Sequence, residues 1–198
     1  NDGNLHTSVQ VQDVVAGETY NLNPGGGFAC VRALTISPNG KSVVYAFPDS
    51  NGSQQLWQTD IQLQNKVALT NSDYIDAHPR FSPTGNRLAF TSTRSGNFDI
   101  YRMAADGSAM LQLTDHPGID TRPAWSPDGL KIAYTSLIQG NYEIFVMNAD
   151  GSHQKQITTN PGKDDFACWH PDGKRVFYVS EVKGKIDIYS TLVEDSTP

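Results

Sequence analysis

The chain has 198 residues, with 15 Lys and Arg against 21 Asp and Glu, giving a formal net charge of −6. This length is enough for one ordinary domain with its own core. The acidic balance leaves no basic surface to neutralise phosphates, which argues against a nucleic-acid partner. An aromatic content of 10% with only 18% charged residues argues against a disordered chain.

A short turn sequence recurs along the chain at nearly constant spacing. Tetrapeptides with Pro second and Gly fourth begin at Ser37, Ser82, Ser126 and His170, which are 45, 44 and 44 residues apart. Further series keep the same spacing: Gly52, Gly96, Gly140 and Gly184, and Trp57, Tyr101, Phe145 and Tyr189. A fixed period of roughly 20 to 50 residues is typical of repeat architectures.

Each repeat has the pattern of four short strands. An aromatic residue such as Trp125 precedes the Ser-Pro-Asp-Gly turn, and an alternating apolar run follows it. A glycine turn leads to a third strand, 143–147 in this repeat, and a last short strand ends at Ile157-Thr158. Four antiparallel strands in about 44 residues predict an all-β chain built as a β-propeller of four-stranded blades.

In chain order the sequence predicts one partial and four further blades. Residues 1–29 form a partial blade, 30–75, 76–119 and 120–163 form three blades, and 164–198 form a fourth that lacks its outer strand. Residues 9–22 align on residues 56–69 at an offset of 47, as the third and fourth strands of a blade. If residues 18–22 fill the missing outer strand of the last blade, the chain closes as one four-bladed domain. The alternative is a larger ring.

The repeat at 125–158 resembles that of the TolB-type propellers, and the resemblance extends from about Cys30 to the C-terminus. In that family the propeller is a binding scaffold, and TolB works with a peptidoglycan-associated lipoprotein that docks at the channel mouth. The resemblance implies a non-enzymatic scaffold that binds a protein or peptide, in the periplasm or outside the cell. It does not carry over that particular partner. Residues 1–10 lack a signal-peptide pattern, and no apolar stretch is long enough to span a bilayer.

The two cysteines lie in matching phrases, Phe-Ala-Cys at 28–30 and at 166–168. In a closed four-bladed ring, Cys30 and Cys168 would lie on neighbouring first strands and could form a disulfide. Two independent buried thiols are the alternative.

Three acids and two other polar residues are the candidate binding residues. Asp76, Asp120 and Asp164 each lie seven residues before the turn proline, where they could ring one channel mouth. Such a ring could hold a cation such as calcium or accept hydrogen bonds from a basic partner loop. Alternatively, each Asp bonds local backbone amides. His78 and Arg122 follow two residues after ring acids and are expected to share their surface.

No catalytic motif stands out. The chain has no Gly-x-Ser-x-Gly elbow, its five histidines form no metal-binding pair on a helix, and no cofactor is predicted beyond a possible channel cation. The enzymatic alternatives are a polysaccharide lyase, which needs a metal and basic residues at one mouth, and the propeller of a peptidase. Carbohydrate binding would instead need exposed loop aromatics, for which the candidates are Tyr20, Phe28, Tyr74 and Phe98.

Overall fold

The computed structural model describes residues 9–12, 17–22 and 33–193, and every regular element in this part of the chain is a β-strand. The strands, in order, are β1 (Val9–Gln12), β2 (Thr19–Leu22), β3 (Leu34–Ile36), β4 (Ser42–Pro48), β5 (Gln54–Asp60), β6 (Val67–Ala68), β7 (Asp76–Phe81), β8 (Arg87–Ser92), β9 (Asp99–Ala104), β10 (Leu111–Gln112), β11 (Asp120–Trp125), β12 (Lys131–Ile138), β13 (Asn141–Asn148), β14 (Lys155–Gln156), β15 (Lys163–Trp169), β16 (Arg175–Val182) and β17 (Lys185–Leu192).

These strands form four consecutive antiparallel sheets and one hairpin. The first sheet contains β3–β6, the second β7–β10 and the third β11–β14, each with four strands in sequence order. The fourth sheet contains three strands, β15–β17, and β1 and β2 form the N-terminal hairpin. The predictions of an all-β chain and of four-stranded antiparallel blades are therefore confirmed.

The N-terminal hairpin has the register of the outer half of a blade. Gln10 pairs with Asn21, and at the predicted offset of 47 the corresponding pair, Trp57 with Ala68, is present between β5 and β6. Val11 packs against the buried cluster of Val43, Tyr45 and Phe47 on the first sheet. The hairpin therefore lies on the face of the first sheet that the second sheet leaves uncovered.

The prediction that residues 18–22 supply the outer strand of the last blade is wrong for the described residues. Thr19–Leu22 pairs with Val9–Gln12, and β17 has β16 as its one hydrogen-bonded neighbour. The two strands of the hairpin are close in sequence, so their pairing closes only a short loop at little entropic cost. Among the described residues, no strand pairs with the outer edge of β17.

Each pair of neighbouring sheets buries apolar side chains between them. Val44 and Leu56 of the first sheet pack against Phe90 and Tyr101 of the second. Ile100 meets Tyr134 in the same way between the second and third sheets, and further clusters follow this pattern. The periodic residues Tyr101 and Phe145 are therefore core contacts between blades, because every sheet must cover the face of the next, whereas Tyr189 on the last sheet is 46% exposed.

The Pro-x-Gly turns also connect one sheet to the next. Gly85 has φ +74°, and a Cβ at this position would lie 3.1 Å from Cδ of Pro38 in the preceding turn. Gly129 has φ +72° and a similar approach, 3.5 Å, to Pro83. The recurring glycine thus supplies both a left-handed backbone and room for the neighbouring proline.

Cys168 has a free and exposed thiol. The structure therefore does not show the predicted disulfide, and Cys30 lies outside the described residues.

Candidate functional site: a groove along the inner strands

The first strand of each of the last three sheets contains a bulge at an equivalent position. The strand pairing shifts between Ala77 and Arg80 in β7, between Thr121 and Ala124 in β11, and between Asp165 and Cys168 in β15. Within these bulges His78, Arg122 and Phe166 have φ values of 50°, 54° and 58°. Left-handed backbone is uncommon for residues other than glycine, and a bulge redirects the side chain of its extra residue.

The three predicted ring acids lie at the start of the same strands, but their side chains are buried. The exposed fraction is 0% for Asp76, 1% for Asp120 and 0% for Asp164. Each pairs across the sheet with a serine of the second strand: Ser92, Ser136 and Ser180. Direct contact of these carboxylates with a partner at a channel mouth does not fit this burial.

The three acids also differ in their partners. Both carboxylate oxygens of Asp76 accept hydrogen bonds from the Arg94 guanidinium at 2.9 Å. Asp164 accepts one bond, 2.6 Å long, from the side-chain amide of Asn160. In the part of the chain that the structure describes, neither oxygen of Asp120 has a hydrogen-bond partner. The acids therefore do not act as one uniform ring.

The pKa of Asp120 is shifted in its buried position. Burial raises the pKa of its carboxyl above the ordinary value, and the nearby hydroxyls of Ser136 and Thr114 offset only part of this effect. Among the described residues no group of three or more His, Cys, Asp or Glu side chains is placed to hold a metal ion. The channel cation stays a prediction from the sequence.

His78 and Arg122 both contact the next sheet. His78 Nδ1 lies 3.2 Å from the hydroxyl of Thr121, and Arg122 donates to the carboxylate of Asp165 at 2.7 Å. Thr121 and Asp165 are themselves equivalent positions, 44 residues apart. The two predicted residues thus form the same kind of polar link at two successive blade interfaces.

The pKa of His78 is lowered to about 4, chiefly by burial and further by the positive charges of Arg122 and Arg80. His78 is therefore neutral at pH 7.

Arg122 connects this polar network to an exposed aromatic ring. Its guanidinium lies over the ring of Phe166, 4.6 Å from the centroid, while it also pairs with Asp165. Thr135 donates a hydrogen bond of 2.8 Å to the same carboxylate. These contacts fix Arg122, and Phe166 remains 59% exposed.

Beside these residues a groove runs along the inner strands of all four sheets. It encloses about 690 Å³. Its lining includes Ile36, Phe81, Trp125, Phe166 and Trp169 among the apolar residues, Pro38, Pro83, Pro127 and Pro171 of the turns, and Arg80 and Arg122. This surface, called the groove below, is mostly apolar and carries two cationic groups.

Two tryptophans hold the walls of the groove together. The indole N–H of Trp125 donates to the backbone carbonyl of Arg80 at 3.1 Å, and that of Trp169 donates to the carbonyl of Ala124 at 3.0 Å. Each bond joins the inner strand of one sheet to that of the preceding sheet. The groove is thus a preorganised surface rather than a set of independent loops.

Sequence and structure agree only partly on the site. His78 and Arg122 lie together near the groove, whereas the ring acids lie in the interior. Phe166 and Arg80 are not among the residues predicted from the sequence. Phe166 could have been found, because it stands 44 residues after Arg122 in the series that begins with His78.

Comparison with known proteins decides the family. The model of the TolB beta propeller domain matches residues 30–142, which is more than half of the chain. This chain belongs to the TolB β-propeller family. Among curated TolB-family relatives, the Tol-Pal system protein TolB of Ruegeria sp. (strain TM1040) is 37% identical over 83 residues, 41% of this chain and 17% of that protein.

Solved TolB structures have the same fold. TolB from Acinetobacter baumannii superposes with a TM-score of 0.75 at 23% identity, over 93% of this chain and 46% of that one. The structure described as putative TolB from Agrobacterium tumefaciens gives 0.74 at 25% identity, over 88% of this chain and 69% of that one. This TolB-family chain therefore spans about half the length of the Acinetobacter protein.

The propeller is also similar to parts of enzymes. Dipeptidyl-peptidase 5 of Porphyromonas endodontalis is 28% identical over 91 residues, 43% of this chain and 13% of that protein. An oligogalacturonate lyase in complex with manganese superposes with a TM-score of 0.63 at 14% identity, which shows a shared fold alone. In the described part of the TolB-family chain, no helix is long and apolar enough to cross a membrane.

Proposed function

We propose that this TolB-family chain is a non-enzymatic scaffold that binds a peptide segment of a protein partner in the groove. The observation that carries the proposal is the exposure of Phe166, 59%, on a rigid and mostly apolar surface of about 690 Å³. Exposed aromatic residues in a concave, preorganised site are typical of binding surfaces.

The charges of the groove favour a particular kind of segment. The guanidinium of Arg122 is already paired with Asp165 at 2.7 Å. Arg80 is exposed, and its one hydrogen bond to a described residue is to the backbone carbonyl of Leu34, at 3.2 Å. A partner carboxylate would therefore bind Arg80, and apolar partner side chains would contact Phe166 and the indole of Trp125. We expect an apolar segment that contains at least one acidic residue.

We also propose that the protein works in the cell envelope or outside the cell. The support is its similarity to a relative named as a Tol-Pal system protein. Fractionation of the native cells tests this location: recovery of the protein with periplasmic or extracellular markers is expected, and recovery with cytoplasmic markers alone would contradict it.

The binding proposal is tested with a random peptide library displayed on phage and selected on the purified chain. Enriched peptides should be apolar and acidic, and each should lose about tenfold or more in affinity for Phe166→Ala and for Arg80→Ala, since each variant removes a central contact. Leu130→Ala is the matched control, because Leu130 is 66% exposed and lies outside the groove. Peptides that bind all three variants equally, or a library without enrichment, would reject the groove.

The propeller of a peptidase is a second candidate, favoured by the match to dipeptidyl-peptidase 5. A polysaccharide lyase and a carbohydrate-binding propeller are further alternatives. Incubation with peptide and oligogalacturonate substrates, with and without manganese, separates these candidates from the scaffold. Product formation that survives purification and is lost in a groove variant would replace the scaffold proposal with an enzymatic one.

A further inference from the structure

A cavity between the outer strands of the first sheet and a turn of the second sheet is a second candidate binding site, separate from the groove. It encloses about 390 Å³, and its lining includes Gln58, Asp60, Asn65, Val67 and Asp106. Asn65, Val67 and Asp106 are exposed, so the cavity opens to the protein surface. Two lining residues are acidic, and none of the described residues that line it is basic. This site is called the lateral cavity below.

The interface between the second and third sheets has the same packing as the interface that contains the lateral cavity. A Cβ on Gly107 would lie 2.8 Å from the carbonyl oxygen of Leu69. A Cβ on Gly151 would lie 2.9 Å from the carbonyl oxygen of Leu113. Both residues of the second pair come 44 residues after those of the first. The two interfaces can therefore be compared residue by residue.

At the second interface a guanidinium group bridges the two sheets. Arg102 of β9 donates from Nη1 to the backbone carbonyl of Ala149 at 2.7 Å. Burial, and then the charge of Arg87, lowers the pKa of Arg102, whereas the carboxylate of Asp150 raises it. This carboxylate is therefore close enough to act on the guanidinium. A carbonyl and a carboxylate of consecutive residues thus receive the arginine.

The first interface has a shorter, uncharged residue in place of this arginine. Gln58 comes 44 residues before Arg102. The strand pairing is the same, since Gln58 pairs with Val67 as Arg102 pairs with Leu111. The side chain of Gln58 makes no hydrogen bond to a described residue. The lateral cavity is therefore the space that an arginine side chain fills at the next interface.

The acceptors of the guanidinium are nevertheless present at the first interface. Ala105 and Asp106 come 44 residues before Ala149 and Asp150. Asp106 accepts two hydrogen bonds from Ser108, and both end on Oδ1. Its Oδ2 and the Ala105 carbonyl accept no bond from a described residue. Both groups are available to a ligand.

Asp60 adds a second carboxylate that the other interface lacks, because the residue 44 positions later is Ala104. A hydrogen bond from the backbone of Gln64 is the main cause that lowers the pKa of Asp60. Hydrogen bonds from the hydroxyl and the backbone of Ser108 lower the pKa of Asp106. Both carboxylates are therefore ionised at pH 7, and the lateral cavity is negatively charged.

We propose that the lateral cavity binds the guanidinium group of a ligand, in the place that Arg102 fills at the next interface. The ligand N–H groups donate to the Ala105 carbonyl and to the carboxylates of Asp60 and Asp106. A guanidinium suits this site better than an ammonium, because its planar donors can bind several acceptors at once. The source is an arginine residue of a polypeptide or a small guanidinium compound.

The test is a titration of the isotope-labelled chain with acetylated and amidated arginine, followed by amide NMR. The amides of Gln58 and Asp106 should shift saturably. Citrulline with the same caps is the matched neutral ligand, because it keeps the length of arginine and loses the charge. It should bind at least about tenfold more weakly, since the charge-assisted hydrogen bonds are lost.

Two further ligands distinguish the sources of the guanidinium. A Gly-Arg-Gly peptide with capped ends presents the group within a polypeptide, and agmatine presents it in a small compound. Tighter binding of the peptide would assign the site to a polypeptide partner, and tighter binding of agmatine would assign it to a small molecule. Either order supports recognition of the guanidinium.

Three protein variants locate the site. Gln58→Arg should abolish binding, because the chain's own guanidinium would then fill the lateral cavity as Arg102 fills the next interface. Asp106→Asn should weaken binding about tenfold and keep the turn, since the amide oxygen can still accept from Ser108. Asp150→Asn is the matched control at the equivalent turn, where Arg102 already occupies the space, and it should leave the affinity unchanged.

Three results would overturn the proposal: no saturable shift with capped arginine, equal affinity for capped citrulline, or undiminished binding in Gln58→Arg. The amide spectrum of each variant shows whether it is folded, so a loss of binding through unfolding is recognised directly. The groove proposal is tested separately, because its variants Phe166→Ala and Arg80→Ala lie on the inner strands and its ligands are acidic.

Discussion

The three ring acids offer a controlled comparison, since the same substitution can be made at equivalent positions with different surroundings. Asp76→Asn removes the charge that binds Arg94 through two bonds of 2.9 Å. Charge-assisted hydrogen bonds contribute about 1.5–3 kcal/mol each, and removal of one partner of a buried pair leaves the other uncompensated. Arg94 is 20% exposed and the amide oxygen still accepts, so we expect a loss of about 2 kcal/mol.

Asp120→Asn should behave differently. It removes a buried charge that has no hydrogen-bond partner, so the free energy of unfolding at pH 7 should stay the same or rise by about 1 kcal/mol. Asp164→Asn should fall between the two, because its carboxylate has one bond, to Asn160.

Thermal unfolding followed by tryptophan fluorescence measures these differences, since about 1 kcal/mol corresponds to roughly 2–4 °C in Tm for a chain of this size. The pH dependence adds a check of sign. A carboxyl whose pKa is raised in the folded state binds its proton more tightly there than in the unfolded state. The free-energy cost of burying the ionised carboxylate is therefore present above the folded pKa and disappears as the pH falls towards the ordinary pKa of the unfolded state. The advantage of Asp120→Asn should therefore shrink on acidification. A loss in Asp120→Asn equal to that in Asp76→Asn would refute the reasoning.

Three further predictions concern the turns and the inner strands. Gly85→Ala should lower the free energy of unfolding by about 2–3 kcal/mol, because φ is +74° and the new Cβ would lie 3.1 Å from Pro38. Gly40→Ala is the control: φ is +69° but the space around it is open, so the free energy of unfolding should fall by only about 1 kcal/mol. Equal shifts of the urea midpoint in the two variants would contradict this prediction. Because the pKa of His78 is lowered to about 4, stability should fall as the pH drops from about 6.5 to 4, by 2–3 kcal/mol in total, and His78→Gln should flatten this part of the stability profile. Trp125→Phe should cost about 1 kcal/mol through its lost indole bond, measured by urea unfolding, and no loss would show that this bond contributes nothing.

The fold could be predicted from the sequence because the residues that form the turns and the strands recur at the same positions in successive repeats. The turn glycines need a left-handed backbone in every unit, and Tyr101 and Phe145 of the aromatic series pack in the core between sheets. Even the N-terminal hairpin follows the register that the offset of 47 predicts, with Gln10 opposite Asn21. The pairing of Thr19–Leu22 could not be predicted in the same way, because the choice between β1 and β17 depends on loop closure rather than on the strand's own pattern.

The site could be predicted only in part. Periodic spacing places Asp76 and His78 on the same strand, but it does not say which of them is fully buried and which contacts the next sheet. The bulge between Ala77 and Arg80 sets the direction of the His78 side chain. A bulge that contains no glycine has no characteristic residue type by which the sequence could predict it. Phe166 was not predicted because its equivalents, His78 and Arg122, are polar. Only the constant spacing along the chain shows that the three residues occupy the same position in the repeat.

The central claim, that the groove is the partner-binding surface, is tested most directly by cross-linking from within it. A photoreactive phenylalanine analogue at position 166 keeps an aromatic ring in place, and the same analogue at position 130 is the control outside the groove. With a peptide selected on the wild-type chain, irradiation should give an adduct of the expected mass from position 166 and none from position 130. An adduct from position 130 alone would place the binding surface elsewhere.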